Sequence, residues 1–428
     1  MAREYKDSGI EWIGQIPKEW EVARAKSIFS QRSSKGNTTE VLLSATQKQG
    51  MLPQYMLEGV VQTNANTDLQ TFKTVHQNDY VISLRSFQGG FEMSNYEGVC
   101  SPAYQVFYNI VPISHQYFWL LFKSYGFIDK INSLTVGIRE GKNIQYKDFA
   151  NMLLAIPSLN EQQKIADYLD KVCGEVDEMV TLQETMIEEL KAYKQSVITE
   201  TVTKGLNPNA PMRNSGIDWI GEIPEHWDTG KTLYVLSLPI TDGPHTTPDL
   251  FDDGVPFISA DAVSDGYINF DNKRGFVSKE FYDECCKKYI PQLYDVYMIK
   301  SGASTGRTAI VETQEIFTIW SPLAVFRANP EVMTPYYLLY MLRSDGYQKQ
   351  VETFWSYGTQ QNIGMRTLEK LIVCIPPLSE QRAIASYLDT KCSEIDSLIA
   401  LKQAKIEELK EYKKSVIYEY VTGKKEVV

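Results

Sequence analysis

The sequence predicts an α+β protein in which one unit, a globular block followed by a long helix, is used twice. Two internal repeats carry this prediction. A 13-residue tag, SGIEWIGQIPKEW at 8–20, returns at 215–227 as SGIDWIGEIPEHW with nine identical positions. A second segment, IPSLNEQQKIADYLD from 156, returns from 375 as IPPLSEQRAIASYLD, and each copy runs on into a proline-free stretch typical of a long helix. The chain therefore has a pseudo-two-fold internal repeat.

Bulk composition allows folded cores and excludes several classes of protein. With 428 residues, 43% hydrophobic and 12% aromatic, the chain has enough apolar residues for two or three domains. It contains neither an apolar run long enough to span a membrane nor a signal-peptide pattern. The six cysteines show no paired spacing, so a reducing, cytoplasmic location is expected. The net charge of −11 argues against a nucleic-acid partner, but acidic residues crowd the predicted helices and leave other surfaces undetermined.

The two tags are interpreted as packed loops at the start of each block. Their tryptophans, Trp12, Trp20, Trp219 and Trp227, flank a Gly-x-Ile-Pro turn. Core packing is the favoured role for these side chains, and ligand binding is the alternative. Residues 206–214, LNPNAPMRN, are rich in Asn and Pro and are predicted to be the linker between the units.

Each block between tag and helix is predicted to be α+β. Short β-like runs such as DYVISL and DVYMIK are bounded by turn residues. An aromatic helix follows, YFWLLFKSYGFIDKI in the first block and PYYLLYMLRSDGYQKQV in the second, and a glycine-containing polar loop closes each block. The frame repeats while the strands and turns differ, which is typical of a recognition protein that carries its contacts on loops.

The first repeated helix has apolar residues at alternating spacings of four and three, which predicts a coiled coil. Asn160 and Ser379 are predicted to cap the two helices, with Gln163 completing a capping box. About 44 residues would make a rod of about 66 Å. The predicted seam, interrupted by Gln183, consists of Ile165, Leu169, Val172, Val176, Met179, Met186, Leu190, Tyr193 and Val197. Because the second copy places lysines on this register, its seam is expected to shift and its helix to be the more polar one.

The chain contains weak matches to catalytic motifs, and none of them predicts catalysis. Gly302–Thr308 resembles a phosphate-binding loop, but three residues rather than four separate its glycines and Arg replaces Lys. Asp249 with Asp271 resembles part of a metal-dependent nuclease site, but it has no counterpart in the other block and is interpreted as turns. The four histidines lack metal-ligand spacing, and no methyltransferase or dinucleotide-binding motif is present. The 302–308 loop still suits contact with nucleic acid, because it is rich in glycine and hydroxyl groups and carries a cation.

The double order of tag, variable block and IP-x-L-x-EQ-x-x-IA-x-YLD helix resembles the specificity subunit of type I restriction-modification enzymes. The resemblance covers almost the whole chain, and 156–170 and 375–389 are its most diagnostic parts. It implies two tandem target recognition domains separated by two long helices that form an antiparallel coiled coil. The predicted domains are the first tag and recognition domain 1–155, the first spacer helix 156–206, the linker with second tag and recognition domain 207–374, and the second spacer helix 375–428.

The same resemblance implies double-stranded DNA as the ligand, with a bipartite and asymmetric target because the two blocks differ. It implies modification (methyltransferase) subunits, two per chain, and restriction (translocase-endonuclease) subunits as partners. These partners are expected to use S-adenosylmethionine, ATP and Mg for adenine methylation and cleavage. The chain itself is expected to be non-catalytic and to hold no cofactor and no metal.

Candidate DNA contacts are the loop residues whose side chains match base edges or phosphates. Arg and Lys suit guanine or phosphate and Asn and Gln suit adenine, each good pair discriminating by about 1–3 kcal/mol. A solvated loop residue or a turn hydrogen bond is the alternative for each. The candidates are Arg85, Gln88, Arg139, Lys142 and Asn143 in the first block, and His245, Thr246, Lys300, Ser304, Thr305, Arg307, Gln360 and Gln361 in the second.

Two other functions stay open from the residues alone. One is a coiled-coil scaffold that assembles proteins without reading DNA, which would tolerate charge reversal at Arg307 and Arg139. The other is a self-contained nuclease, which would need Asp249 and Asp271 and a metal. The nuclease is the least supported of the three hypotheses.

Overall fold

The structure is a computed structural model that describes residues 3–36, 41–47, 49–57, 69–83, 89–134, 144–357 and 361–427. Its contacts group the chain into two compact units, unit 1 with residues 1–184 and 404–428 and unit 2 with 185–403. In chain order its helices are α1 (His115–Lys123), α2 (Tyr125–Ser133), α3 (Tyr146–Ala150), α4 (Leu159–Lys204), α5 (Lys279–Cys286), α6 (Pro335–Arg343), α7 (Asp345–Phe354), α8 (Met365–Leu368) and α9 (Leu378–Val421).

Each unit holds one globular block together with parts of both long helices, α4 and α9. The domain boundaries predicted from the sequence follow the chain instead and stay predictions. Within the described ranges, no helix is both long enough and apolar enough to cross a membrane.

Unit 1 is built on an antiparallel four-stranded sheet. Its strands are β1 (Tyr5–Asp7), β2 (Gln15–Pro17), β3 (Glu21–Arg24), β4 (Phe29–Arg32), β5 (Leu43–Thr46), β6 (Gly50–Pro53), β7 (Lys73–Val75), β8 (Tyr80–Ile82), β9 (Phe91–Met93), β10 (Gly98–Cys100), β11 (Gln105–Asn109) and β12 (Leu153–Ile156). The main sheet has the order β4-β11-β8-β9, and two-stranded ladders join β1 to β2, β3 to β12, β5 to β6 and β7 to β10. The β3–β12 ladder brings the end of the block back to its start, where α4 begins.

The core of unit 1 is aromatic. Phe29, Phe107, Phe122 and Phe149 are fully buried and pack with ring centroids 4.9 to 6.1 Å apart. Edge-to-face and tilted ring pairs of this kind stabilise a core beyond the area they bury. The aromatic helix predicted for this block therefore packs its rings against the sheet.

Unit 2 contains a five-stranded and a three-stranded sheet. Its strands are β13 (Met212–Asn214), β14 (Glu222–Pro224), β15 (Asp228–Lys231), β16 (Thr241–Asp242), β17 (Val255–Ile258), β18 (Gly266–Tyr267), β19 (Gly275–Val277), β20 (Val296–Ile299), β21 (Thr308–Ile310), β22 (Thr318–Ile319), β23 (Leu323–Phe326), β24 (Ser356–Tyr357), β25 (Gln361–Asn362) and β26 (Ile372–Ile375). The sheets have the orders β16-β23-β20-β21-β18 and β19-β17-β22, and ladders join β13 to β14, β15 to β26 and β24 to β25.

The central strand β20 is buried on both faces. Val296 and Met298 belong to the core formed with α6 and α7, whereas Tyr297 and Ile299 belong to a second core that includes Ile258 of β17. Because side chains alternate across a strand, two cores on one strand require apolar residues at every position. This explains the unbroken run predicted as a strand, which is confirmed, as is the run DYVISL, which contains β8.

The structure corrects two local predictions, one at a backbone break and one at a hairpin. The single aromatic helix predicted in each block is two helices, separated at Ser124 and Ser344, whose ψ angles of 141° and 147° are extended. The predicted linker 206–214 also contains a strand, since Met212–Asn214 pairs with Glu222–Pro224 as Tyr5–Asp7 pairs with Gln15–Pro17. The repeated unit therefore begins with a small hairpin ahead of the recognisable tag.

The glutamate of each Glu-Gln pair ties a long helix to a tag. Glu161 accepts a hydrogen bond from the indole Nε1 of Trp20 at 3.0 Å, and Glu380 accepts one from Trp227 at 3.0 Å. Both of these tryptophans are buried, which confirms the packing role predicted for the tags. A buried indole N–H needs such an acceptor, so the pairing accounts for the recurrence of both residues.

The glutamine of each pair is buried and ties the helix to the start of the aromatic helix. Gln162 accepts from the backbone N–H of Ser114 at 2.9 Å and donates to the carbonyl of Pro157 at 2.9 Å. Gln381 accepts from the N–H of Thr334 at 2.7 Å and donates to the carbonyls of Pro376 and Val332, each at 2.8 Å. The Glu-Gln sequence thus recurs because the same three parts meet in both units.

The predicted helix caps at Asn160 and Ser379 are wrong. Helix α4 begins at Leu159, and the hydroxyl of Ser158 accepts from the N–H of Glu161 at 3.3 Å. Gln163 donates to Asp167 instead of closing a capping box. In the second copy α9 begins at Leu378, directly after a proline. Each long helix thus begins one residue before the polar residue that was predicted to cap it.

Within each unit the two long helices run antiparallel, as the resemblance implied. In unit 1, Leu169 near the start of α4 shares a core with Val416 near the end of α9. In unit 2, Ile198 near the end of α4 shares a core with Leu388 near the start of α9. The two copies of one ion pair show the same symmetry, because Lys413–Asp177 in unit 1 and Lys194–Asp396 in unit 2 exchange their helices with an offset of 219.

The predicted seam is wrong in part, since Ile165, Leu169 and Val176 are buried as predicted, and the expected shift in the second helix is wrong. Met179 and Tyr193 are exposed, and the buried stripes of both helices occupy equivalent positions. At four places the buried residue is the direct neighbour of the predicted one: Cys173 rather than Val172, Ile187 rather than Met186, Lys194 rather than Tyr193, and Ile198 rather than Val197. The buried positions are Gln162, Ile165, Ala166, Leu169, Cys173, Val176, Ile187, Lys194, Ile198, Thr201, Val202 and Thr203 in α4, and Gln381, Ile384, Ala385, Leu388, Cys392, Ile395, Ile406, Leu409, Val416, Ile417 and Val421 in α9.

The buried and exposed positions of α4 predict the effects of two substitutions in unit 2. Ile187→Ala should lower the free energy of unfolding by about 2–4 kcal/mol, because it leaves a cavity in the buried stripe. Tyr193→Ala, on the same helix but exposed, should change it by less than about 0.5 kcal/mol. Urea unfolding of the two variants measures both effects. A larger loss for Tyr193→Ala would restore the register predicted from the sequence.

Candidate nucleic-acid interface

The structure describes the candidate DNA contacts of the second block more fully than those of the first. Arg85, Gln88, Arg139, Lys142, Asn143 and Gln360 lie outside the described residues, and they stay predictions. The other candidates lie in unit 2 on three segments: 241–248 after the start of β16, the 300–307 turn, and strand β25.

The 300–307 turn joins the antiparallel strands β20 and β21. The hydroxyl of Thr305 donates to the carbonyl of Gly302 at 2.7 Å, and the N–H of Arg307 donates to the carbonyl of Ser304 at 3.1 Å. Gly302 and Gly306 have φ angles of +105° and +95°, which L side chains rarely adopt. The two glycines that suggested a phosphate-binding loop therefore serve a tight turn, and the hydroxyl of Thr305 closes it.

Strand β25 lies beside this turn. The N–H of Gly302 donates to the carbonyl of Gln361 at 3.0 Å, and the N–H of Ile363 donates to the carbonyl of Lys300 at 2.9 Å. These bonds bring Gln361 next to the turn that carries Ser304 and Arg307. Arg307 is exposed, and no side chain in the described part of the chain pairs with its guanidinium.

The segment 241–248, TDGPHTTP, is held by backbone packing. A Cβ at Gly243 would lie 2.0 Å from the carbonyl oxygen of Ile319, so only glycine fits this close approach. The N–H of Ser321 donates to the carbonyl of Pro244 at 3.2 Å. This attachment leaves His245 and Thr246 exposed at the surface.

A buried carboxylate links this segment to the turn. Asp242 is 1% exposed, and Lys288, which follows α5, donates to its Oδ1. Its Oδ2 lies 3.3 Å from Nζ of Lys300 and 3.2 Å from Nε2 of His245. Lys300 is itself buried, and its ammonium group pairs with Asp242. The DNA contact predicted for Lys300 would need an exposed side chain, which this lysine does not present.

A further cation lies beside the same segment. The guanidinium of Arg274 lies 4.0 Å over the ring of Trp320, which follows the residue that Gly243 contacts. An arginine stacked on an indole keeps its donors available to a ligand while its orientation is fixed. Arg274, Lys288 and Asp242 were not predicted from the sequence, since nothing in the local pattern distinguishes them from solvated turn residues.

The residues of the weak nuclease match lie on the surface. Asp249 and Asp271 are both exposed, and the N–H of Asp271 donates to the side chain of Asn269 in a short turn. Within the described ranges, no group of three or more His, Cys, Asp and Glu side chains is placed to hold a metal ion.

Comparison with known proteins decides the family. The family model described as "Type I restriction modification DNA specificity domain" matches residues 17–192 and 243–411. These two stretches take in most of the chain, and each contains most of one block and most of the helix that follows it. The chain belongs to this family.

Curated relatives carry the same name. The MjaVIII specificity subunit of Methanocaldococcus jannaschii is 24% identical over 286 residues, which are 66% of this chain and 64% of that protein. The EcoBI specificity subunit of Escherichia coli is 25% identical over 287 residues, 64% of this chain and 58% of that one. The matched region thus spans less than two thirds of the length of these relatives.

Solved structures share the fold. A chain from a study of complex assembly and conformational transition of the type I R-M system has a TM-score of 0.69 at 18% identity, covering 95% of this chain and 98% of that one. The HsdS subunit from Thermoanaerobacter tengcongensis has a TM-score of 0.53 at 17% identity, with 95% and 98% covered. Together with the two matched stretches, these likenesses confirm the predicted fold class of tandem α+β domains with two long helices.

The packing of Gly243 generates a local prediction. Gly243→Ala should displace the 241–248 segment, because the new methyl group overlaps the carbonyl of Ile319, and overpacking of this kind costs about 1–3 kcal/mol. Hydrogen–deuterium exchange should then be faster in 241–248. Gly364→Ala is the control, since a Cβ at this position would lie 3.8 Å from its nearest neighbour in the described ranges, the hydroxyl of Thr367. Unchanged exchange in Gly243→Ala would contradict the packing described.

Proposed function

We propose that this chain is the sequence-specific DNA recognition subunit of a type I restriction-modification complex. One recognition domain reads each half of a bipartite, asymmetric target. The observation that carries the proposal is the internal repeat, in which the same tag and Glu-Gln helix start frame two blocks with different strands and loops. Two similar readers suit the dyad symmetry of the DNA backbone, and different loops give the two halves different sequences.

The chemistry of the unit 2 loops supports this function. Arg307 has the geometry to contact guanine or phosphate, and Gln361 can bond an adenine edge. Thr246 and Ser304 supply hydroxyls for phosphates or bases. The acidic total of the chain does not oppose the proposal, because many of its carboxylates are exposed on the long helices rather than carried by these loops.

The proposal includes the partners implied by the family. Modification subunits, two per chain, and restriction subunits would supply methylation and cleavage with S-adenosylmethionine, ATP and Mg, in the cytoplasm. This chain then contributes recognition without catalysis, and the name "specificity subunit" of its relatives supports that division. Exposed apolar side chains on the long helices also support partner binding. They are Leu159, Met179, Leu182, Tyr193, Tyr387, Leu398, Leu401 and Tyr412.

The scaffold without DNA reading is not favoured. The matched family is described by DNA specificity, and both matched stretches include parts of the globular blocks as well as the helices. A pure scaffold would have no use for an exposed arginine on a tight turn, such as Arg307, whose guanidinium has no partner among the described side chains.

The function is tested at Arg307. Arg307→Ala should weaken binding of the target duplex by about 5- to 150-fold, corresponding to about 1–3 kcal/mol for a lost base or phosphate contact, while assembly with the methyltransferase partner is unchanged. Arg382→Ala, an exposed arginine on α9, is the control and should leave DNA binding unaltered. Affinity is measured by titration of the purified complex with duplex DNA at several salt concentrations.

The target duplex comes from methylation sequencing of cells with and without this chain. A split motif that depends on the chain is expected. If no such motif appears, or if Arg307→Ala binds as tightly as the Arg382→Ala control, the recognition function is contradicted. A scaffold would show full assembly and unchanged methylation in both variants.

A further inference from the structure

Asp242 differs from two other buried aspartates of the blocks, Asp295 and Asp79, each of which pairs with one arginine. Asp295 accepts two hydrogen bonds from Arg327, at 2.7 and 2.8 Å, and further bonds from Tyr289 and the N–H of Gln292. These bonds saturate the carboxylate and involve a single cation. Such an arrangement is what a structural ion pair requires, since each charge is satisfied within the protein.

The same holds in unit 1. Asp79 accepts two bonds from Arg32, at 2.6 and 2.9 Å, and one from the N–H of His76. Arg32 and Arg327 thus each bind one carboxylate through two hydrogen bonds. Neither of these ion pairs includes the side chain of a lysine or a histidine.

Around Asp242 the pattern is reversed. Three cationic or ionisable groups from separate segments, His245, Lys288 and Lys300, converge on the one carboxylate. Its Oδ2 is contacted at ion-pair distance but accepts no hydrogen bond of good geometry. The group carries a net charge of about +1 with His245 neutral and about +2 with it protonated. The cluster is therefore held by few hydrogen bonds of good geometry and carries excess positive charge.

The excess charge faces outward. The side chain of His245 is 72% exposed and that of Lys288 is 48% exposed, whereas Lys300 and Asp242 are buried. Lysine ammonium groups rotate freely on flexible stems and can turn from a carboxylate to an incoming anion, which a bidentate arginine cannot do without breaking two bonds. The exposed hydroxyl of Thr246 lies on the same segment.

We propose that Asp242 is a positioning residue that gathers His245, Lys288 and Lys300 into a binding site for a backbone phosphate of DNA. The cations repel one another, and the buried carboxylate holds them together at the surface before the DNA arrives. Lys288 and His245 contact the phosphate, while Lys300 stays on Asp242 and keeps the segment in place. This inference rests on the proposed function and adds a contact that fixes the register of the DNA without reading its bases.

The proposal predicts that loss of the negative charge of Asp242 weakens DNA binding, whereas the change in total charge alone would strengthen it. Removing a negative charge from a DNA-binding face ordinarily strengthens binding. Asp242→Asn should instead weaken binding of the target duplex about tenfold, because the cations lose their common partner and disperse. Asp249→Asn, the same charge change at an exposed residue nearby in the sequence, is the control and should bind as tightly as the unaltered chain or more tightly.

A second pair of variants tests the phosphate contact without touching a buried group. Lys288→Gln should weaken binding of the target duplex and of an unrelated duplex of equal length by similar factors, about five- to tenfold, and lower the slope of log affinity against log salt by about one. Lys287→Gln is the control, since Lys287 is exposed and bonds to Glu284. If Asp242→Asn does not fold, this pair decides alone.

The outcomes separate the two proposals. If the unaltered complex shows no preference for the target duplex, the proposed function fails. If it shows that preference but Asp242→Asn binds as tightly as Asp249→Asn, or Lys288→Gln keeps the salt slope of Lys287→Gln, the phosphate site is overturned. Binding of inorganic phosphate that Lys288→Gln abolishes, with duplex binding unchanged, would assign the cluster to a free anion and also overturn it.

Discussion

The fold depends on how the two ends of each long helix are held. At its start, each helix gives one carboxylate to a buried tryptophan, Glu161 to Trp20 and Glu380 to Trp227. Near its end, each helix meets a buried tyrosine of the unit to which that end belongs: in unit 1 Tyr117 donates to the carbonyl of Val421 at 2.9 Å, and in unit 2 Tyr337 donates to that of Val202 at 3.0 Å. Each unit therefore clasps the start of one helix and the end of the other. Residues engaged in this clasp must recur in both copies, whereas strands and turns away from it are free to differ, and this division of labour suits a recognition protein.

The frame could be predicted from the sequence because its signals are local. A tryptophan-flanked Ile-Pro turn and a Glu-Gln pair each occupy a short stretch, and each appears twice. What failed was the choice between adjacent residues. Met179 and Tyr193 are large and apolar yet exposed, whereas Lys194, next to Tyr193, can lie in the buried stripe because Asp396 and Asp265 pair with it. Burial lowers the pKa of Lys194, but these carboxylates outweigh that effect and hold the pKa above its ordinary value, so the lysine stays charged.

The candidate DNA interface was also predicted from the sequence only in part. The 300–307 turn was singled out because glycine, hydroxyl and arginine residues follow one another in the chain, and the structure shows why the glycines are there. Asp242, Lys288 and Arg274 were missed because only tertiary structure brings them to one segment, through the close contact of Gly243 with Ile319. Lys300 was predicted to contact DNA, but it is buried and pairs with Asp242. No sequence pattern distinguishes a lysine that faces a ligand from one that faces a buried carboxylate.

The central claim is that two separate readers are held on one repeated frame. Exchange of residues 21–155 for the corresponding block of a relative with a different target, followed by methylation sequencing of the assembled complex, tests it most directly. The account predicts that one half of the split target changes while the other half and the length of the unread spacer stay the same. A change in both halves, or a spacer of different length, would contradict it.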